Sequence, residues 1–186
     1  SLVAGDFNAD GKTDLAVGAY GYSTNTGRAY IFYNGSIITE NASGADVTIT
    51  GETTSNYFGG SLVAGDFNAD GKTDLAVGAY GYSSITGRAY IFYNDGSIPT
   101  TAATADVQIT GGASNDAFGS AVSTGDFNSD GRTDVAVGAF QYSSSTGRTY
   151  IFYSQNGQVN SNQSIAGNAT SDEFGKAMVT GDFNSD

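Results

Sequence analysis

Short apolar runs, four to eight residues long, recur along the chain with turn residues between them. In the second copy of the pattern "SLVAG" (61–65) is followed by an acidic loop and then by "DLAVGAY" (74–80). After "GYSSITG" comes "RAYIFYN" (88–94), and after a longer polar connection comes "ADVQIT" (105–110). The runs are rich in Val, Ile, Tyr and Phe, and some alternate with period two, as Val107 and Ile109 do against Gln108 and Thr110. Such runs predict β-strands, because alternate side chains of a strand point to opposite faces. No stretch of helical length shows a 3.6-residue rhythm.

The pattern repeats. Aligning the acidic loops on Asp6, Asp66, Asp126 and Asp182 gives spacings of 60, 60 and 56 residues. Residues 1–34 and 61–94 differ only at Thr24 against Ser84 and Asn25 against Ile85. Four short strands per unit, repeated, predict an all-β fold of β-propeller blades, each a four-stranded antiparallel sheet. The repeats are expected at about 1–60, 61–120 and 121–176, with the start of a fourth at 177–186. A ring needs roughly 4–8 blades, and these residues hold about three. Further repeats, or association of two copies into a six-bladed ring, are therefore expected; the longer array is favoured because Ser1 falls in mid-repeat.

Composition sharpens this picture. Glycine (27 of 186 residues) calls for many tight turns, and cysteine and histidine are absent. Disulfides, zinc fingers and Cys or His nucleophile–base pairs are thereby excluded. The net charge of −12 disfavours nucleic acid and anionic membranes as partners. No apolar run approaches the ~18–20 residues of a membrane-spanning helix. Of the 19 acidic residues, 11 are aspartates in the four loop copies. Aspartate concentrated at fixed spacing implies that a cation supplies the missing positive charge.

The loop reads D-F-N-A-D-G-K-T-D, with oxygen side chains at positions 1, 3, 5 and 9 and glycine at 6. A hard cation such as calcium takes six to eight oxygen ligands. The candidate metal ligands are Asp6, Asn8, Asp10 and Asp14; Asp66, Asn68, Asp70 and Asp74; Asp126, Asn128, Asp130 and Asp134; and Asp182, Asn184 and Asp186. Position 7 offers a backbone carbonyl, so Lys12, Lys72 and Arg132 are acceptable there with their cationic heads turned to solvent. Without an ion, carboxylates ~4 Å apart repel by roughly 1–4 kcal/mol per pair. A strand, "LAVGAY", follows the loop, whereas an EF-hand would continue into a helix.

These residues resemble FG-GAP repeats, the repeats that build the propeller of integrin α subunits and of many bacterial extracellular proteins. The resemblance lies in Phe58-Gly59, Phe118-Gly119 and Phe174-Gly175, in the D-x-N-x-D-G-x-x-D loop and in the "VGA" that follows. One departure is an aromatic in place of the family's proline, at Tyr20, Tyr80 and Phe140. The resemblance implies a calcium-dependent propeller in an adhesion or recognition protein, sometimes a lectin. It places that protein outside the cell or at its surface, with calcium stabilising loops and taking no part in catalysis.

Strand alternation puts the acidic loops and connections 34–45 and 94–105 on one face. The loops at 20–27, 51–57 and their repeats occupy the other. There Tyr20, Tyr80 and Phe140 are expected to fill the space between blades. Tyr22, Tyr82 and Tyr142 are the candidate ligand-binding side chains, suited to a protein or glycan ligand. Arg28, Arg88 and Arg148 are expected to serve as partners of a carboxylate or carbonyl, and Asp46 and Asp106 to have a structural role. Asn34, Asn41, Asn162 and Asn168 match the N-glycosylation pattern, which arises often by chance in a chain this rich in Asn, Ser and Thr. The expected function is calcium-stabilised recognition, with a self-assembling unit of a filament or surface layer as the rival. No acidic pair outside the loops suggests a catalytic site, so no enzyme is expected.

Overall fold

The computed structural model describes residues 1–34, 41–155 and 158–181. Twelve strands among them form three four-stranded antiparallel sheets. In the first, β1 (Leu2–Gly5), β2 (Asp14–Ala19), β3 (Arg28–Phe32) and β4 (Val47–Thr50) lie in chain order. The second repeats this with β5 (Ser61–Gly65), β6 (Asp74–Ala79), β7 (Arg88–Phe92) and β8 (Val107–Thr110). The third contains β9 (Phe118–Gly125), β10 (Asp134–Ala139), β11 (Arg148–Gln155) and β12 (Gln158–Ala166). These are the propeller blades that the strand pattern predicts. Among the first strands, β5 lies against both β1 and β9.

Register follows from the acidic loop. Asp14 faces Gly5 and Leu2 faces Val17, so β1 and β2 are joined as a hairpin through the loop, and the same pairing recurs between β5 and β6. β12 pairs directly with β11, with a bulge at Ile151/Phe152. In the first two blades, by contrast, a short 3-10 turn (Ala42–Gly44, Ala102–Thr104) precedes the last strand.

Two apolar cores hold the blades together. Between the first and second, Phe7, Ile31 and Ile49 meet Phe58, Leu75, Val77 and Phe92. Between the second and third, Phe67, Ala76 and Ile91 meet Phe118, Val135, Val137 and Phe152. Alternate residues of β6 thus serve opposite interfaces, and all six of its residues are buried. Phe7 and Phe67 are the second residues of their acidic loops and are fully buried, so each loop is anchored in the core beneath it. Removing such a ring typically costs about 3–5 kcal/mol.

The Phe-Gly pairs join neighbouring blades. Backbone N–H groups of Ser55, Tyr57 and Phe58 donate to the carbonyls of Thr24, Asn25 and Thr26 in the preceding blade. Phe58 thereby bridges to Gly27, as Phe118 does to Gly87 and Phe174 to Gly147. The closest approach lies at the glycine of "VGA". A Cβ on Gly18, Gly78 or Gly138 would sit 2.0 Å from the carbonyl oxygen of Gly59, Gly119 or Gly175. Both motifs are therefore two sides of one backbone-to-backbone contact that tolerates no side chain.

The first two of these carbonyls belong to single helical turns, α1 (Tyr22–Asn25), α2 (Tyr82–Ile85) and α3 (Tyr142–Ser145), and the third to the residue that follows each turn. Within them Ser23, Thr24 and Asn25 have φ of 46°, 57° and 62°, a left-handed run repeated at Ser83–Ile85 and Ser143–Ser145. Each non-glycine residue there costs roughly 1–2 kcal/mol. The inter-blade hydrogen bonds and the Thr26 hydroxyl, which donates to Ser23 O at 2.8 Å, hold the turn in place.

Candidate metal centre

Each loop curls because its side-chain oxygens capture its own amides. Asp6 Oδ1 accepts from Asp10 N at 3.1 Å and Oδ2 from Gly11 N at 2.9 Å. Asn8 Oδ1 also accepts from Asp10 N, and Asp10 Oδ1 accepts from Lys12 N at 2.9 Å. The second loop repeats these bonds with Asp66, Asn68 and Asp70, and the third with Asp126, Asn128 and Asp130. Gly11, Gly71 and Gly131 have φ of 80°, 84° and 81°, and an added Cβ would meet nothing within 4 Å. Glycine at position 6 is thus required by conformation and not by space.

The aspartate at position 9 differs from the others. Asp14, Asp74 and Asp134 are buried, and both carboxylate oxygens of each are engaged. Oδ2 of Asp14 accepts from Phe7 N at 2.8 Å, and Oδ1 accepts from Asn34 N at 2.7 Å. Asp74 does the same for Phe67 and Asn94, and Asp134 for Phe127 and Ser154. This residue ties the loop's start to the end of the third strand. Burial pushes the Asp74 carboxyl up to about 6; bonds from Asn94 and Phe67 oppose the rise, and the charges of Asp70 and Asp66 add to it. The exposed Asp126 carboxyl is held below its usual range, chiefly by the Gly131 amide.

As placed, no three acidic side chains among the described residues converge closely enough to hold an ion. The donor set nonetheless suits a hard divalent cation. Every side-chain donor is an oxygen, and each loop pre-orients Asp, Asn and Asp on one backbone coil. Each oxygen that accepts one amide keeps a further lone pair. Asp6, Asn8, Asp10 and Asp14, with the Lys12 carbonyl, would hold such an ion in the first loop; the corresponding residues would do so in the next two. The Lys12 and Lys72 side chains are solvent-exposed, as expected, and their heads also lie 3.6 Å from Asp10 Oδ2 and 4.0 Å from Asp70 Oδ2, where they partly offset the loop charge. Asp182, Asn184 and Asp186 lie outside the described residues.

On the opposite face, the guanidinium carbon of Arg28 sits 3.7 Å over the Tyr22 ring. Arg88 and Arg148 cover Tyr82 and Tyr142 in the same way, at 3.7 and 4.0 Å. One face of each candidate ligand-binding ring is therefore committed to a cation–π stack. Tyr80 stacks on Tyr57 at 4.7 Å, but Tyr20 is 52% exposed. Arg88 also pairs with Glu52 at 3.0 Å, the carboxylate partner expected of it. Asp46 and Asp106 accept from Tyr33 N and Tyr93 N, which accounts for their recurrence. Sequence reasoning did not find the position-9 clamp or the left-handed turns. The clamp's signal was available: the position-9 side chain opens an otherwise apolar strand.

Consecutive blades carrying acidic loops on one edge and joined by Phe-Gly segments define a class, the repeat-built β-propellers. Residues 1–32, 58–92 and 118–152, more than half of the chain, match the FG-GAP repeat. The chain belongs to the FG-GAP repeat family. It is 37% identical over 146 residues to integrin alpha-PS5 of Drosophila melanogaster, covering 75% of the chain and 14% of that protein. Integrin alpha-5 of Xenopus laevis is 31% identical over 182 residues, 88% of the chain and 16% of the integrin. Phosphatidylinositol-glycan-specific phospholipase D of Bos taurus is 36% identical over 144 residues, 69% of the chain and 17% of that protein. The chain thus spans less than a fifth of the length of these relatives. Among the described residues, no helix is long and apolar enough to cross a membrane.

Proposed function

We propose that these blades form a calcium-stabilised recognition or adhesion module, extracellular or at the cell surface, and that their role is not catalytic. Supporting this is the triplicated loop, in which an all-oxygen donor set is held at matching geometry in three copies. A bound divalent ion would supply positive charge that cancels the repulsion among the loop carboxylates. The chain's own residues do the rest: Asp6 and Asn8 hold the coil, Asp14 fastens it to β3, and Phe7 fixes its depth. Its protein or glycan ligand would meet the face bearing the left-handed turns, where Tyr22, Tyr82 and Tyr142 lie. Further blades, or a second copy, would complete the propeller.

Thermal unfolding at increasing calcium, against a chelator baseline, tests the first part. Stabilisation that follows RT ln(1 + [L]/Kd) per site, about 2.7 kcal/mol per site at 100 Kd, is expected. A melting temperature unmoved by calcium to 10-millimolar order, the weak end of extracellular sites (~10⁻³ M), would overturn it. Self-assembly into a filament or surface layer is the second reading, favoured by the near-identity of residues 1–34 and 61–94.

A further inference from the structure

The two blade interfaces are built on one framework but differ in their charged positions. Between the first and second blades, Glu52 Oε1 accepts from Arg88 Nη1 at 3.0 Å and from the Tyr90 hydroxyl at 2.7 Å. Arg88 Nε donates to Thr110 Oγ1, its cross-strand neighbour, at 2.9 Å. Between the second and third blades the aromatic frame is unchanged. Phe118 meets Tyr150 edge-on at 5.4 Å, as Phe58 meets Tyr90, and Arg148 lies 5.8 Å from the Tyr150 ring centre, as Arg88 does from Tyr90. The position equivalent to Glu52, however, is Gly112, and the cross-strand partner of Arg148 is Ala166.

Both substitutions remove partners from the same guanidinium. Arg148 Nε is buried without a hydrogen-bond partner, and no ion pair among the described residues includes Arg148. Beside Gly112 a cavity of about 250 Å³ opens, walled by Ile109, Gly111, Phe118, Tyr150 and Phe152, with Arg148 outside this lining and 5.8 Å from the centre of the Tyr150 ring. Asp116, which replaces Asn56, acts on Arg148 only through space and is bonded to Ala113 N at 3.1 Å. Arg148 as a whole is half-buried. Its buried Nε lacks the hydroxyl that Thr110 gives Arg88, and among the described residues its guanidinium lacks the carboxylate that Glu52 gives Arg88 Nη1. A donor left unpaired costs free energy.

We propose that this cleft binds a carboxylate borne on a short aliphatic stem, which takes the place of the Glu52 side chain against Arg148 and Tyr150. The apolar walls would receive the stem, and the guanidinium and phenol would bind the head. The inference goes beyond the cation reading and does not depend on it.

Titration of the whole chain with sodium propionate, followed by amide and arginine Nε–H chemical shifts against equal sodium chloride, tests it. Saturable shifts at Gly112 and Arg148 are expected, with half-saturation on the order of millimolar for so small a ligand. A Gly112→Glu/Asp116→Asn variant restores the glutamate and asparagine of the first interface and so supplies the carboxylate from within the chain; its response should weaken at least tenfold. The site admits that change, because a Cβ on Gly112 meets only Asp116 Oδ2, at 3.9 Å. N-acetyl-glutamate N-methylamide shows whether the group can arrive on a peptide: binding of both probes points to a peptide source, and propionate alone to a free acid. Shifts no different from those with chloride, or a double variant that binds as well as the parent, would overturn the proposal.

Discussion

At the residue scale, the loop aspartates divide into two kinds that the sequence writes with the same letter. Asp10 is surface-facing, and its captured amide lies within its own turn. Asp14 is buried and satisfies amides from two separate segments. Replacing a carboxylate by an amide turns one acceptor into a donor, which at Asp14 would face a backbone N–H. Asp14→Asn should therefore cost about 1–3 kcal/mol even in chelator. Asp10→Asn should leave chelator stability within about 0.5 kcal/mol of the parent and lose the calcium increment of its own loop. Denaturant unfolding of both variants, with and without calcium, separates the roles; equal behaviour in chelator would refute the division. The aspartate spacing was legible because ligand type and turn chemistry coincide there. The burial of position 9 was not, since it depends on the third strand arriving from 20 residues away.

At the scale of elements, period-two alternation and turn residues located the four strands of each blade. The face-sorting of the loops also emerged as predicted: Tyr57 N meets Asn25 O on one face, and Asn94 Nδ2 donates to Phe7 O on the other. The left-handed turns were missed because Ser-Thr-Asn, Ser-Ser-Ile and Ser-Ser-Ser share no glycine to mark positive φ. Tertiary hydrogen bonding selects the conformation there, against local preference. The Phe-Gly and "VGA" motifs were recognised as family marks, yet their physical reason appears only when the two backbones are seen in contact. Gly78→Ala sets a methyl against the Gly119 carbonyl. It should destabilise by about 1–3 kcal/mol or more, read from denaturant midpoints. An alanine accepted at Gly78 without loss would show that the blades can separate freely at this joint.

At the scale of the molecule, among the described residues, the second blade packs between two others and each outer blade against one. Phe58 and Phe118 are buried, whereas their equivalent Phe174 is 39% exposed; Leu2 and Val179 are more exposed still, at 71% and 78%. Phe174, Ile165, Met178 and Val179 line an apolar cavity of about 380 Å³ on the third blade. An uncovered apolar face of this kind favours association. Sedimentation of the 186-residue chain should show mass rising with concentration, and Ile165→Asp with Val179→Asp should suppress it without lowering the unfolding midpoint. A strictly monomeric parent would refute this.

The fastening between blades has a further consequence. Because the segment from Ser55 to Gly59 hooks onto the blade before it, any stretch of sixty residues brings its own latch for the neighbour upstream and its own keeper for the one downstream. Copying such a stretch in the gene inserts a blade with a ready-made joint at either end, so the array can lengthen without any new interface having to be invented.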